Sequence, residues 1–138
     1  MSINIRAGLA EMIATFALVL FGPMAATSAL VIIGADWGTS IIIIGLTHGL
    51  VIALMIYAIG NVSGAHINPA VTIPMIIHKK IDVGNGISYI IFQILGAIIA
   101  AATHAIVLPM GSEIKYALNT PGQFNGVTFN DSTVFAME

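Results

Sequence analysis

Polar residues in this chain cluster at a few places, and long apolar runs fill the space between them. No Asp, Glu, Lys or Arg stands between Glu11 and Asp36, between Asp36 and Lys79, or between Asp82 and Glu113. A helix crossing a bilayer needs roughly 20 apolar residues, so these runs predict spanning helices over about 8–33, 39–60 and 87–108. Asp36-Trp37-Gly38 reads as a polar turn between the first two, with Trp37 as an interfacial anchor. The second apolar run is too long for one span and contains Ser63-Gly64-Ala65-His66-Ile67-Asn68-Pro69-Ala70-Val71-Thr72. Asn68 suits an N-cap, and Pro69 falls at the first helical position, where its missing N–H is harmless. The helix it opens, residues 68–78, ends at Lys79-Lys80 and is too short to cross. It therefore reads as a half-helix that enters the membrane and returns. The loop before it, Gly60 to Ile67, has irregular backbone at membrane depth, which is tolerated only when buried in protein or lining a wet cavity.

The pattern thus predicts an all-α membrane protein with three transmembrane helices and one re-entrant half-helix, forming a single unit over residues 1–138. Gly45 and Gly49 share one face of the second span, and Gly96, Ala97, Ala100 and Ala101 share one face of the third. Both suit close helix packing. Residues 109–131 read as a loop, and 132–138 as the opening of a fourth span.

Composition excludes several function classes. The chain is 58% hydrophobic and 7% charged, with mean hydropathy +1.02, against about 25% charged in a soluble domain. A net charge of −2 leaves no electrostatic footprint for nucleic acid. With no cysteine there is no disulfide and no thiolate metal site. No metal or other cofactor is expected. The first run is too long for a signal-peptide core. Arg6, Lys79 and Lys80 fall on one side of a three-span layout and Lys115 on the other, which predicts a cytoplasmic N-terminus and an external 109–131 loop. Asn61-Val62-Ser63 and Asn130-Asp131-Ser132 match the glycosylation pattern, but the first lies on the wrong side for it.

The stretch Gly64 to Thr72 resembles the first pore motif of the aquaporins, the major intrinsic protein family. Ser63 and Gly60 before it also fit, as do Ala10-Glu11 with Thr15-Phe16 in the first run and Gln93 with Gly96 in the third. The resemblance covers the whole chain and corresponds to the N-terminal repeat of a family member. It implies a channel for passive water transport, with small neutral solutes such as urea, ammonia or glycerol as further substrates. It implies no enzymatic activity, and a homotetramer for the complete protein.

The resemblance also assigns roles. Asn68 would donate side-chain hydrogen bonds to passing water, with Pro69 and Ala70 completing its motif. The half-helix N-terminus adds about half a unit of positive charge, which repels cations and interrupts a proton wire. The plain alternative is that Asn68 only caps a helix. Carbonyls of Gly64, Ala65 and His66 lack helical partners and would form a ladder of acceptors, opposite an apolar wall of Ile52 and Val71. His48 stands twenty residues before Asn68, the spacing of a residue in the family's narrow outer filter. Its alternative is an intramembrane His bonded to a nearby carbonyl.

Three readings stand for Glu11: a structural brace accepting N–H bonds from the half-helix loop, a proton relay with His66 in a coupled transporter, and a carboxylate complementing the helix dipole. Gln93 is expected to bond loop backbone, His66 to pack in the cytoplasmic vestibule, and His78 and His104 to lie at the two interfaces. Pro74 departs from the family pattern and is expected to kink the half-helix. A pore of this family is closed by two inverted repeats, so residues 1–138 alone are expected to form an incomplete pore. The functional alternatives are a non-conducting fragment or assembly subunit, and a proton-coupled transporter using Glu11.

Overall fold

The computed structural model describes residues 3–115 in full and the backbone of 116–117, 123–124 and 127–128. Helix α1, Ile5–Thr27, continues into a π-helical turn, Ser28–Ile32. Helix α2 is Trp37–Ser63, α3 is Pro69–Ile77 and α4 is Val83–Val107. Pro109–Ala117 form a 3-10 helix, and β1 (Gln123–Phe124) pairs antiparallel with β2 (Val127–Thr128). Among the described residues, three helices are long and apolar enough to cross a membrane: Ile5–Ile32, Trp37–Ser63 and Val83–Val107.

The helices begin earlier than hydropathy alone suggests because polar caps precede them. Asn4 Oδ1 accepts from Ala7 N–H at 3.1 Å. Asp36 Oδ1 accepts from the N–H groups of Gly38 and Thr39 at 3.0 and 3.1 Å. Asp82 Oδ1 accepts from Asn85 N–H at 3.0 Å. Each satisfies N–H groups that have no partner inside the helix. Trp37 is therefore the first residue of α2 and not part of a turn, and its side chain is 70% exposed. Asn4 N–H also donates to Asn85 Oδ1 at 2.7 Å, and Asn85 Nδ2 donates to Asp82 Oδ2 at 2.6 Å, tying the starts of α1 and α4 together.

Helix α1 is the centre of the bundle. It packs along α4 and along α2, while α2 and α4 touch through the Tyr89–Ser63 hydrogen bond near the end of α2, and α3 leans on α4. Close approach of α1 and α4 depends on small residues. A Cβ on Gly96 would overlap the Met12 carbonyl oxygen and lie 3.2 Å from Phe16 N, so the two backbones touch there. Ala7 and Ala14 of α1 and Ala100 of α4 are buried as well. The opposite flank is apolar and open, with Leu46, Leu50 and Leu54 exposed on α2.

Three expectations need correction. Gly45 and Gly49 face open space, since nothing among the described residues comes within 4 Å of a Cβ built on either. The segment 109–131 is not all loop, because its first nine residues wind into the 3-10 helix. Pro74 lies inside α3, which runs to Ile77, and beyond it Lys80 N–H reaches back to the Met75 carbonyl at 2.8 Å. His104 is buried, not interfacial, and its Nε2 lies 3.0 Å from Thr27 Oγ1. The start of a fourth span at 132–138 and the Asn130 sequon lie outside the described residues.

Two outcomes follow from this packing. Gly96→Ala forces α1 from α4 and is expected to cost about 1–3 kcal/mol, the usual penalty for overpacking, read as a lower midpoint of unfolding in detergent. Asp82 is held below its ordinary value of 3.8, chiefly by the side-chain hydrogen bond from Asn85 and then by Asn85 N–H. A folded-state value below the unfolded one means the contribution is complete above 3.8 and is lost as pH falls through the lower value. The stability gap between wild type and Asp82→Ala should therefore narrow on acidification below that range, as measured by unfolding across a pH series.

Candidate pore wall and its brace

The loop between α2 and α3 is strained and heavily pinned. Gly64 closes α2 with φ of +88°, and Ala65 and Ile67 follow at +51° and +60°. Glycine adopts that region freely, but a β-branched residue such as Ile67 rarely does. Residues held there cost on the order of 1–3 kcal/mol each and persist only when their surroundings over-determine them. Here the surroundings do so. Ile67 N–H donates to Glu11 Oε2 at 2.5 Å, and its carbonyl accepts from Thr15 Oγ1 at 2.7 Å. His66 N–H donates to Glu11 Oε1 at 2.9 Å. Ser63 Oγ donates to Glu11 Oε1 at 2.5 Å and accepts from Ala65 N–H at 3.1 Å, while the Ser63 carbonyl accepts from Tyr89 Oη at 3.0 Å.

Glu11 is fully buried, and its carboxylate takes a fourth bond from Gln93 Nε2 at 2.8 Å. Each oxygen thus accepts two hydrogen bonds, which uses the acceptor capacity of an ionised carboxylate. All four donors are uncharged. Gln93 differs from expectation here: its amide bonds the side chains of Glu11 and Thr72, the latter at 3.1 Å, and not loop backbone. Sequence gave no sign of Thr15, Thr72 or Tyr89 as partners, although Thr15 and Thr72 are isolated polar residues in apolar helices. His66 meets Glu11 through its backbone alone. Its ring is buried, with Nδ1 3.2 Å from Thr72 Oγ1 and an edge-on contact to Tyr89 at 5.4 Å between centroids. Among the described residues the ring of His66 has Thr72 as its polar partner, which gives the relay no direct link to Glu11.

Asn68 caps α3. Its Oδ1 accepts from Ala70 N–H at 2.9 Å, and its carbonyl accepts from the N–H groups of Val71 and Thr72. That commitment settles which end of the amide is which: Oδ1 faces the helix, and Nδ2, a donor only, faces away. Asn68 is exposed and lines a cavity of about 1080 Å³ on the outer side of α3. Leu18, Gly22 and Ala26 of α1, Ile44 and His48 of α2, and Ala101 and His104 of α4 line it too. His48 Nδ1 lies 3.0 Å from the Ile44 carbonyl.

The structure therefore brings Asn68 and His48 to one cavity and gathers Glu11, Gln93, His66 and the loop into one buried cluster. Ile52 and Val71 are 38% and 46% exposed, and neither lines the outer cavity. Gly64 and Ala70 are exposed, and Ala65 and Pro69 half-buried, beside Asn68 on the uncovered side of the loop and helix.

Glu11→Gln keeps shape but replaces an acceptor oxygen with a donor amine, so at least one of the four donors loses its partner. Leaving a buried donor unsatisfied costs about 1–3 kcal/mol. The expected outcome is a lower melting temperature and lower folded yield, read by thermal denaturation monitored by circular dichroism.

Comparison with known proteins fits this geometry. The family described as "Major intrinsic protein" matches residues 1–137. The chain is 46% identical over 97 residues to "Glycerol uptake facilitator protein-like 6" of Lactiplantibacillus plantarum, covering 70% of this chain and 41% of that one. It is 39% identical over 107 residues to "Aquaporin-4" of Mus musculus, covering 72% and 31%. It is 36% identical over 131 residues to "Aquaporin Z" of Rhodopseudomonas palustris, covering 88% and 54%. The chain thus spans about half or less of the length of these curated relatives. With three spanning helices and a half-helix that starts at Asn68, it is an integral membrane protein whose fold is the N-terminal part of the aquaporin fold, and it belongs to the major intrinsic protein family.

Proposed function

We propose that residues 1–138 form the first repeat of a passive membrane channel for water that also passes small neutral solutes such as urea, ammonia or glycerol. The observation that carries this reading is the Asn68 amide. Its Oδ1 is occupied by the helix, so its Nδ2 donors face a cavity that His48 also lines. A donor at the positive end of a short helix suits the oxygen of a passing neutral molecule and disfavours a cation. Glu11 and Gln93 serve as the brace, holding the Gly64, Ala65 and His66 backbone in the shape that presents its carbonyls. Ile52, with Val71, supplies the apolar wall once a second repeat covers the exposed face. Pro69 and Ala70 set the helix start. No covalent chemistry is involved, and the protein is not an enzyme.

The whole protein would carry an inverted second repeat to close the pore and would assemble as a homotetramer in the bilayer. The distribution of Arg6, Lys79 and Lys80 against Lys115 supports an N-terminus in the cytoplasm. Uncovered Asn68, Ile52 and Val71 favour a second reading for residues 1–138 by themselves, as a non-conducting assembly subunit.

The test uses the complete protein in liposomes, with osmotic shrinkage followed by stopped flow. Fast shrinkage with a low activation energy is expected, and it should be lost when Asn68 is replaced by Leu. His48→Phe is expected to lower urea flux more than water flux. Equal losses of both would remove His48 from the selective filter, and slow wild-type shrinkage would remove the channel reading itself.

A further inference from the structure

Gly22 lies in the interior of α1, on the wall of the outer cavity, where His48 of α2 faces it. A Cβ built on Gly22 would overlap His48 Nε2 and lie 2.5 Å from Cε1 and 3.1 Å from Cδ2. Real Cβ atoms essentially never come within 3.0 Å of another group. The edge of the imidazole therefore occupies the volume that any other residue at position 22 would fill. Glycine weakens a helix interior relative to alanine, and at position 22 the vacated space is used by a side chain from the neighbouring helix.

The other edge of the ring is fixed as well. His48 Nδ1 lies 3.0 Å from the Ile44 carbonyl oxygen, one turn back on α2. A carbonyl oxygen accepts and never donates, so Nδ1 carries the proton. Nε2 makes no hydrogen bond within the described residues. In a neutral imidazole with the proton on Nδ1, the lone pair is on Nε2. Asn68, His104 and Lys115 are further polar groups on the cavity. Asn68 is committed to Ala70 N–H through Oδ1, and His104 is paired with Thr27.

We propose that Gly22 is the positioning residue for His48. It lets the Nε2 edge of the ring lie against α1, while the Ile44 carbonyl holds the Nδ1 edge. Together they fix how much of the opening the ring leaves free. This inference rests on the channel reading above, with His48 in its filter.

Gly22→Ala drives the ring off α1 and across the opening. In the complete protein it should lower the urea-to-water permeability ratio by about threefold or more, less than the discrimination one methylene achieves in a fitted pocket. In a His48→Ala background the same substitution should leave the ratio unchanged, because no ring remains to be displaced. An equal effect in both backgrounds, or none in either, overturns the proposal. If Gly22→Ala folds only alongside His48→Ala, the clash is with the ring and the proposal holds. If it folds in neither, the space at Gly22 serves something else and the proposal fails. Nitrogen-15 spectra of histidine-labelled protein, with His48 assigned by His48→Gln, read the ring whether or not the channel conducts. The expected signature is a protonated Nδ1 and a bare Nε2. An Nε2–H tautomer overturns the hold of the Ile44 carbonyl on the Nδ1 edge. A wild-type protein that passes no water would instead count against the channel reading and leave the nitrogen signature as the measure of this one.

Discussion

One buried carboxylate holds this structure in its working shape. The loop before α3 contains Ala65 and Ile67 in a backbone region that L-residues avoid, and its residues His66 and Ile67 are buried. Neither feature is stable unaided. Glu11 supplies acceptors for the N–H groups that such a backbone cannot pair with itself, and it draws them from α2, the loop and α4 together. A cation opposite the carboxylate would satisfy its charge but not four separate donors. Dispersed neutral hydrogen bonds spread the same stabilisation over three elements, and so fix their relative positions.

The rest of the architecture serves that convergence. Glu11 sits on α1, the helix that both α2 and α4 pack against. Its reach to Gln93 requires α1 and α4 to lie close, and Gly96 against the Met12 carbonyl provides that closeness. The Asn4–Asn85–Asp82 chain fixes the same two helices at their starts, and Thr27 with His104 near their ends. Between these ties the helices have little freedom to slide, so the loop they hold is rigid although it is irregular.

Local signals in the sequence carried much of this. Charge-free runs mark the spans because lipid demands length and apolarity and little else. Asn68-Pro69 marks a helix start because cap chemistry is written in adjacent residues. Features that depend on helix crossing were not legible. Gln93 and Thr72 are partners only because α3 leans on α4, and Thr27 meets His104 across 77 residues of sequence. Each of these is a solitary polar residue in an apolar run, which signals that a partner exists without naming it. Gly45 and Gly49 are the reverse case: four-residue spacing announces a packing face, yet nothing among the described residues fills it. The 3-10 helix at Pro109–Ala117 was hidden because its composition is that of a loop.

The sequence distances around Glu11 also bear on how the protein is made. Its four donors come from residues 52, 55, 56 and 82 positions downstream. Helix α1 therefore leaves the ribosome carrying an acid whose partners do not yet exist. At about 5–20 residues per second, Gln93 follows Glu11 by roughly 4–16 s. During that interval the carboxylate must stay near water, take up a proton, or borrow donors from the insertion machinery. Membrane integration of α1 is then completed late, when α4 arrives, and the early helices are most exposed to quality control in the seconds before it does.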